Sequence, residues 1–218
     1  MKILEIKALA IPEIKVIRFA RFPDERGYFT EQYRKSDFAD LDTGSLRKAE
    51  FLQCNESFSK AATVRGLHFQ WDPRMGKLVR TLSGRMVDLA LDIRKGSPAF
   101  GKIVAHEMPA GAKDAHGEWI WVPPGFAHGN FFTEDTLIEY MCTGEYSPKC
   151  EAGISPLSAD IDWTLCEPGL KKAFDDMIRR TTLITEKDRG GFSLESWKKK
   201  KDSDNFLYDE LKRLCPDD

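Results

Sequence analysis

A two-residue alternation of apolar and polar positions dominates the middle of this chain. In residues 85–94, Val87, Leu89, Leu91 and Ile93 alternate with Asp88, Ala90, Asp92 and Arg94, the period of a strand with one buried face. An apolar run at 78–82 precedes it, and the intervening Ser83-Gly84 dipeptide suits a tight hairpin. Short apolar runs at 103–108, 119–122, 127–133 and 137–143 follow. They are separated by G-S-P at 96–98, a polar turn at 111–117 and P-P-G at 123–125. Short strands at such intervals predict an all-β sandwich or barrel. Upstream, alternation at 11–19 leads into F-P-D-E-R-G-Y-F-T-E at 22–31, where Pro23 and Gly27 punctuate before Tyr28 and Phe29 resume a strand. A short polar helix or loop is expected at 36–43. Residues 51–70 read as extended pieces joined by a polar link at 57–62.

The pattern changes after Trp163. Leu170, Phe174, Met177 and Ile178 fall at helical spacing among Lys171, Lys172, Asp175 and Asp176. A last amphipathic helix is expected from about Asn205, with Phe206 or Leu207, Leu211 and Leu214 as its apolar stripe. The chain therefore divides into a β-rich domain over residues 1–190 and a polar, partly helical C-terminal extension over 191–218. The four lysines at 198–201 read as a solvated face, since no aromatic platform or second basic patch accompanies them.

Composition narrows the classes. With 41% hydrophobic and 31% charged residues and a net charge of −2, the chain is an ordinary globular protein with no global attraction to nucleic acid. No apolar run reaches membrane-spanning length, and the opening M-K-I-L-E-I-K carries charges where a signal peptide needs an apolar core. A cytoplasmic protein with no membrane or nucleic-acid partner is expected. The five cysteines, Cys54, Cys142, Cys150, Cys166 and Cys215, form no C-x-x-C pair, which argues against a disulfide framework and a thiolate metal site. Neither G-x-G-x-x-G nor a P-loop motif occurs.

Candidate chemistry centres on T-V-R-G-L-H-F-Q at Thr63–Gln70. In an extended run Gly66, His68 and Gln70 share one face, and Arg65, Leu67 and Phe69 the other. A histidine in a strand is either a packed structural residue or a titratable group aimed at a pocket. The four histidines, His68, His106, His116 and His128, lack the close His-x-His pair and convergent carboxylate of a metal-binding barrel, so no metal is expected. Acid–base chemistry without a cofactor then requires a base, a group that stabilises the resulting anion, and a proton donor. Lys77, before the strand at 78–82, is either a stabiliser of that anion or a strand-end surface charge. Tyr140 is either a donor or a half-buried strand aromatic.

Several ordered blocks carry a resemblance. F-P-D-E-R-G-Y-F-T-E at 22–31, Q-C-N-E-S at 53–57, V-R-G-L-H-F-Q at 64–70, G-K-L-V-R at 76–80 and D-I-R-K-G-S-P-A-F-G at 92–101 are similar to the dTDP-4-dehydrorhamnose 3,5-epimerases. W-V-P-P-G-F-A-H-G at 121–129, E-Y-M-C-T-G-E-Y-S-P at 139–148 and T-E-K-D at 185–188 extend the likeness from about Ile14 to Asp188. The resemblance implies a cupin-like β-barrel (a jelly roll) with a few C-terminal helices, dimeric and free of metal and cofactor. It implies epimerisation on either side of the 4-keto group of a nucleotide-linked 6-deoxyhexulose. By the same resemblance, His68 is the base, Asp188 its orienting carboxylate, Tyr140 the donor on the opposite face and Lys77 the enolate stabiliser. Arg26, Glu31, Gln53, Asn55, Arg65, His128, Glu151 and Lys187 match substrate-contacting positions, and Tyr146 matches a tyrosine that stacks on the nucleotide base.

The chain also departs from that pattern. Asn130 follows A-H-G where the family pattern has Phe, a change expected to reshape the pocket wall near His128. Residues 152–187 follow the pattern loosely, and the tail after Gly191 is longer than the family needs. Strand parity sets Arg65 and His68 on opposite faces although both match substrate-contacting positions, so either a bulge intervenes or Arg65 serves another part of the site. The alternatives are a mono-epimerase acting at C3 or C5 alone, an epimerase of a CDP- or GDP-linked sugar, a catalytically silent nucleotide-sugar binder, and a metal-dependent barrel enzyme.

Overall fold

In the computed structural model, which describes residues 1–41, 43–111, 114–180 and 182–214, twelve strands carry the architecture. Cys215, two residues of the turn at 111–117 and one residue of 36–43 lie outside the described residues, as does the side chain of Leu214. The strands are β1 (Ile3–Ala8), β2 (Lys15–Ala20), β3 (Phe22–Asp24), β4 (Gly27–Phe29), β5 (Gln53–Ser59), β6 (Thr63–Gln70), β7 (Lys77–Asp92), β8 (Ile103–Ala110), β9 (His116–Val122), β10 (Phe126–Phe132), β11 (Thr136–Cys142) and β12 (Glu151–Gly153). Five helices accompany them: α1 (Lys35–Ala39), α2 (Pro168–Arg180), α3 (Glu186–Arg189), α4 (Leu194–Lys198) and α5 (Tyr208–Leu214). The architecture is the mainly β, cupin-like barrel that the resemblance implies.

All named strand pairs are antiparallel. One sheet runs β1-β2-β9-β7-β11-β5 and the other β8-β7-β10-β6-β12, with β3 and β4 forming a separate hairpin. β7 belongs to both sheets. Its first half pairs with β9 and β11, and its second half with β8 and β10. The expected hairpin at Ser83-Gly84 is therefore absent, and one 16-residue strand replaces it. Gly84 is the corner instead. It takes φ +85°, and a Cβ there would lie 2.4 Å from the carbonyl oxygen of Asp135. A strand that bends from one sheet into the other needs such a position, and glycine takes it without a side-chain clash.

The alternation at 85–94 is real, but both faces are buried. Val87, Leu89, Leu91 and Ile93 point outward into a cluster with Phe131, Phe174, Leu194, Trp197, Phe206 and Leu211. The opposite parity faces the barrel interior, where Met86 and Ala90 pack with Val79, Ile120, Phe126, Phe132 and Ile138. Helices laid over the outer face thus turn the polar parity inward. Asp88, Asp92 and Arg94 are all buried. Arg94 offsets part of that cost by donating to both carboxylate oxygens of Asp92, at 3.0 and 2.7 Å, and to Glu13 at 2.6 Å.

Residues beyond Gly191 contribute to the same core. Trp197 meets Phe69 at a ring-centroid distance of 4.7 Å, and Phe206 meets Phe69 at 5.4 Å. The lysines at 198–201 are exposed. Gly84→Ala should lower stability by about 1–3 kcal/mol, the usual scale for a side chain forced into a left-handed site with no room. A urea unfolding midpoint equal to that of the wild type would show that the corner does not need glycine.

Candidate active site

The stretch Thr63–Gln70 is where strand parity breaks. Along β10, His128 is paired with His68 and Asn130 with Arg65, so two steps of β10 face three steps of β6. This is a bulge, and it returns Arg65 and His68 to the same face. Val64, Leu67 and Phe69 all pack in the outer cluster as a consequence. Gly66 lies inside the bulge at φ +102°, and a Cβ there would sit 2.6 Å from Gly129 Cα and 2.7 Å from the His128 carbonyl oxygen. Two glycines meeting backbone to backbone leave no room for a side chain. The question of Arg65's direction is resolved in favour of the bulge.

The bulge also turns the Gly66 amide toward α3. Gly66 N–H donates to Asp188 Oδ2 at 3.2 Å, and His68 Nε2 lies 2.7 Å from Asp188 Oδ1. Thr185 caps α3 by accepting from the Asp188 amide at 3.1 Å, which fixes the carboxylate's position. Asp188 is buried. Burial alone would raise its pKa, but the hydrogen bond and charge of His68, with the Gly66 and Thr185 contacts, hold it below the usual carboxylate range.

The facing sheet supplies the other groups. On β11, Tyr140 and Cys142 share one face, with Asn55 and Gln53 opposite them on β5, and Cys142 is paired with Lys77 of β7. Tyr140 and Lys77 thus project from one wall, and His68, His128 and Arg65 from the other, into a cavity with two lobes of about 190 and 340 Å³. Both lobes are bounded by His68, Lys77, His128 and Tyr140. The larger lobe alone reaches the range of small-molecule sites. Burial raises the Tyr140 phenol pKa, so the group is protonated near neutral pH. Burial also lowers the Lys77 ammonium, opposed by Cys142, Asp88 and Glu151. His128 is held by buried Asp88, whose Oδ2 lies 2.7 Å from its Nε2.

At the rim, Tyr146 donates to Glu151 Oε1 at 2.8 Å, and Lys187 donates to the same oxygen at 2.6 Å. Gln53 accepts from the Tyr146 amide at 2.9 Å and donates to Asn55 at 3.0 Å. Arg65 donates to Ser59 Oγ at 2.8 Å and to the Phe58 carbonyl at 3.1 Å. Eleven of the thirteen expected residues line this cavity. Arg26 and Glu31 do not. Arg26 is 84% exposed and paired with Asp24 at the β3–β4 hairpin, and Glu31 is paired with Arg34 at 2.6 Å. The pattern of residues gave no sign of Asp88, because its parity read as the solvent face. The cavity wall also includes Met75, Phe126 and Ser57, which carry no recognisable spacing. Among the described residues, no three His, Cys, Asp or Glu side chains converge as a metal site would require.

The model of the dTDP-4-dehydrorhamnose 3,5-epimerases matches residues 8–196. The chain belongs to that family. It is an epimerase, an isomerase-class enzyme. The dTDP-4-dehydrorhamnose 3,5-epimerase of Sinorhizobium fredii is 43% identical over 152 residues, covering 68% of this chain and 73% of that protein. The enzyme of the same name from Methanothermobacter thermautotrophicus is 33% identical over 189 residues, covering 85% and 89%. Among solved structures, the Legionella pneumophila dTDP-6-deoxy-D-glucose-3,5-epimerase in complex with dTDP-4-keto-L-rhamnose is 30% identical. It superposes with a TM-score of 0.75, over 93% of this chain and 97% of that one. A Streptomyces bikiniensis 3'-monoepimerase in complex with dTDP-quinovose shares the fold at a TM-score of 0.77 and 21% identity, over 95% and 96% of the two chains. Fold alone therefore does not separate double from single epimerisation. No helix among the described residues of the epimerase is long and apolar enough to cross a membrane.

A carboxylate whose pKa is lowered on folding adds stability above its unfolded pKa, about 3.9. That stability is lost as pH falls through the folded value. Asp188→Asn should therefore cost about 1–3 kcal/mol at pH 7. The gap to the wild type should narrow as pH drops below about 4. A gap that stays constant to pH 3 in urea titrations would refute the lowered pKa.

Proposed function

We propose that the epimerase inverts C3 and C5 of a nucleotide-linked 4-keto-6-deoxyhexose, converting dTDP-4-dehydro-6-deoxyglucose to dTDP-4-dehydrorhamnose without metal or cofactor. The observation that carries this reading is the pairing of His68 and Tyr140 on facing walls of one cavity, with Lys77 between the same lobes. A 4-keto group acidifies the hydrogens on both neighbouring carbons. His68, oriented by Asp188, takes such a hydrogen as a proton, and the electron pair moves onto the ketone oxygen as an enolate. The Lys77 ammonium stabilises that oxygen, and Tyr140 returns a proton to the opposite face of the carbon. Solvent resets both groups, so each turnover leaves the protein unchanged. Repetition at the second carbon completes the double inversion.

Binding follows from the rim. Arg65 and Lys187 answer the charge of the pyrophosphate, and Tyr146, more than half exposed, offers a ring face to the base. Gln53, Asn55, His128 and Glu151 supply polar contacts along the wall. The product belongs to deoxysugar supply for cell-surface polysaccharide, work done in the cytoplasm.

The enzyme acts as a homodimer in this reading. The β3–β4 hairpin exposes Phe22, Tyr28 and Phe29, the last at 69%, and holds Arg26 outside the cavity of its own chain. An exposed apolar hairpin with no role in its own site fits delivery of Arg26, with Glu31 nearby, to the site of a second copy.

Incubation with dTDP-4-keto-6-deoxyglucose in deuterated water should place deuterium at both C3 and C5 by NMR. Label at one position alone would mean a mono-epimerase, and no label with dTDP-, CDP- or GDP-linked 4-keto sugars would end the epimerisation reading for these substrates. His68→Ala should lower exchange by about 10²–10⁴-fold, and Tyr140→Phe should slow proton return more than proton removal. Exchange persisting in His68→Ala would overturn the choice of base.

Subunit mixing tests the hairpin. Arg26→Ala and His68→Ala should each be deficient alone, yet coexpressed they should form heterodimers with one intact site and regain activity. Activity no greater than the sum of the separate variants would exclude a shared site.

A further inference from the structure

Tyr146 lies in the connection between β11 and β12, outside any strand or helix, and is more than half exposed. A side chain on such a segment has no ladder to fix it. The backbone around Tyr146 is nevertheless held on both sides. Its own N–H donates to Gln53 Oε1 at 2.9 Å, and the carbonyl of the same peptide unit, that of Glu145, accepts from Gln70 Nε2 at 3.0 Å. The next peptide unit donates through Ser147 N–H to Gln70 Oε1 at 2.7 Å. One side chain therefore grips the peptide planes before and after Tyr146. Two fixed planes set the φ and ψ between them.

Gln70 is the last residue of β6 and only 4% exposed. Its Nε2 also donates to the Pro73 carbonyl at 2.9 Å, so the same amide ties the β6–β7 connection to the β11–β12 connection. The two connections are joined again at their other end. There Gly76 N–H donates to Thr143 Oγ1 at 2.8 Å, and Thr143 N–H donates to the Gly76 carbonyl at 3.0 Å. The Gln70 contacts need two donors and one acceptor on a single planar group, which an amide supplies. An ionised carboxylate has no donor, an ammonium no acceptor, and an aliphatic side chain neither. Gln70 lines the smaller lobe of the cavity beside Gln53, Met75 and Tyr146, yet all three of its printed-length bonds go to backbone.

We propose that Gln70 is a positioning residue for nucleotide binding: by fixing the two peptide planes that flank Tyr146, it holds the ring in place before the nucleotide arrives. This rests on the proposed role of Tyr146 against the base. A ring already in place loses little freedom on binding, whereas a ring on a loose connection must be ordered first, which weakens affinity. The reacting groups lie elsewhere. His68 is held by Asp188, and Lys77 and Tyr140 project from the facing sheet. The effect of Gln70 therefore falls on affinity and leaves the rate at saturation alone.

The test compares Gln70→Leu, Tyr146→Ala and the double variant with the wild type, by calorimetric titration of dTDP and by steady-state kinetics with dTDP-4-keto-6-deoxyglucose. Gln70→Leu should bind dTDP about tenfold more weakly and raise KM by a similar factor. Its kcat should stay within about twofold of the wild type. In the double variant Gln70→Leu should add no further loss of dTDP affinity to that of Tyr146→Ala, because the ring it positions is gone. An unchanged KM, with or without a lower melting temperature, would mark a purely structural amide, and additive losses would mark an effect independent of Tyr146; either result would overturn the proposal. Tyr146→Ala binding dTDP as tightly as the wild type would overturn the base-stacking reading and this proposal with it, so that single variant tells the two failures apart. Amide hydrogen exchange on the free wild type needs no variant. The Tyr146 and Ser147 amides should exchange at least about tenfold more slowly than in an unstructured peptide. Exchange at the peptide's rate would overturn the proposal even if Gln70→Leu did not fold.

Discussion

A carboxylate buried as deeply as Asp188 stays ionised only where donors replace the water it has lost, because the desolvation penalty amounts to several kcal/mol. The donors and the carboxylate come from places far apart in sequence. Gly66 N–H and His68 belong to β6, and the Asp188 amide is fixed by Thr185 at the start of α3. Neither β6 nor α3 can supply this arrangement without the other. The bulge at Gly66 exists in the form that aims an amide at the carboxylate, and it needs Gly129 on the neighbouring strand for two backbones to approach so closely. The connection is reinforced on both sides, by Val64 N–H donating to the Leu183 carbonyl at 2.9 Å and by Phe192 N–H donating to the Gly153 carbonyl at 2.9 Å. A single buried charge thus explains a glycine pair, a broken strand parity and the docking of a helix.

The barrel pays for its function with an interior that is only partly apolar. Val79, Ile120, Phe126, Phe132 and Ile138 pack as a conventional core. Lys77, Tyr140, His68, His128 and Asn130 line the cavity, and on β10 His128 and Asn130 stand between Phe126 and Phe132. Placing these groups on paired strands fixes their positions better than loops would, which suits the proposed reaction, in which a base and a donor meet a ring from opposite sides. The helices on the outer face supply the compensating burial, with Phe174, Trp197 and Phe206 covering the strands that carry the polar residues inward.

Much of this was readable from residue order, for identifiable reasons. Most strands announced themselves by alternation, and α2 by the spacing of Leu170, Phe174 and Met177. Two readings failed because they assumed that local rules act alone. Ser83-Gly84 has the composition of a turn, yet the same glycine at φ +85° serves as well to bend a continuous strand, and only the pairing partners distinguish the two uses. Asp88 looked solvent-facing because alternation shows which residues share a face without showing which face is inside. Once helices cover the apolar face, the polar one must line the interior. The direction of Arg65 was undecidable from parity, since a bulge of one residue reverses it. Arg26 and Glu31 show a different limit: their place in the motif is clear, but a single chain leaves them on its surface.

The charges inside the cavity have a definite imbalance. Its two carboxylates are both engaged, Asp188 by His68 and Glu151 by Lys187 and Tyr146. Its remaining cations are not neutralised in the same way. Arg65 donates to a hydroxyl and a backbone carbonyl, neither of which carries charge, and Lys77 has no ion-pair partner among the described residues. The two uncompensated cations sit in the lobe that also holds His68 and Tyr140. In a partly desolvated space such charges act with much less screening than at the surface. Their field attracts anions and favours any step in which negative charge develops nearby. An enolate formed beside Lys77 and a diphosphate held by Arg65 both satisfy that field, whereas a neutral sugar would leave two cations desolvated without return. The electrostatics of the cavity therefore favour the proposed substrate, which arrives charged, and a reaction that passes through an anion.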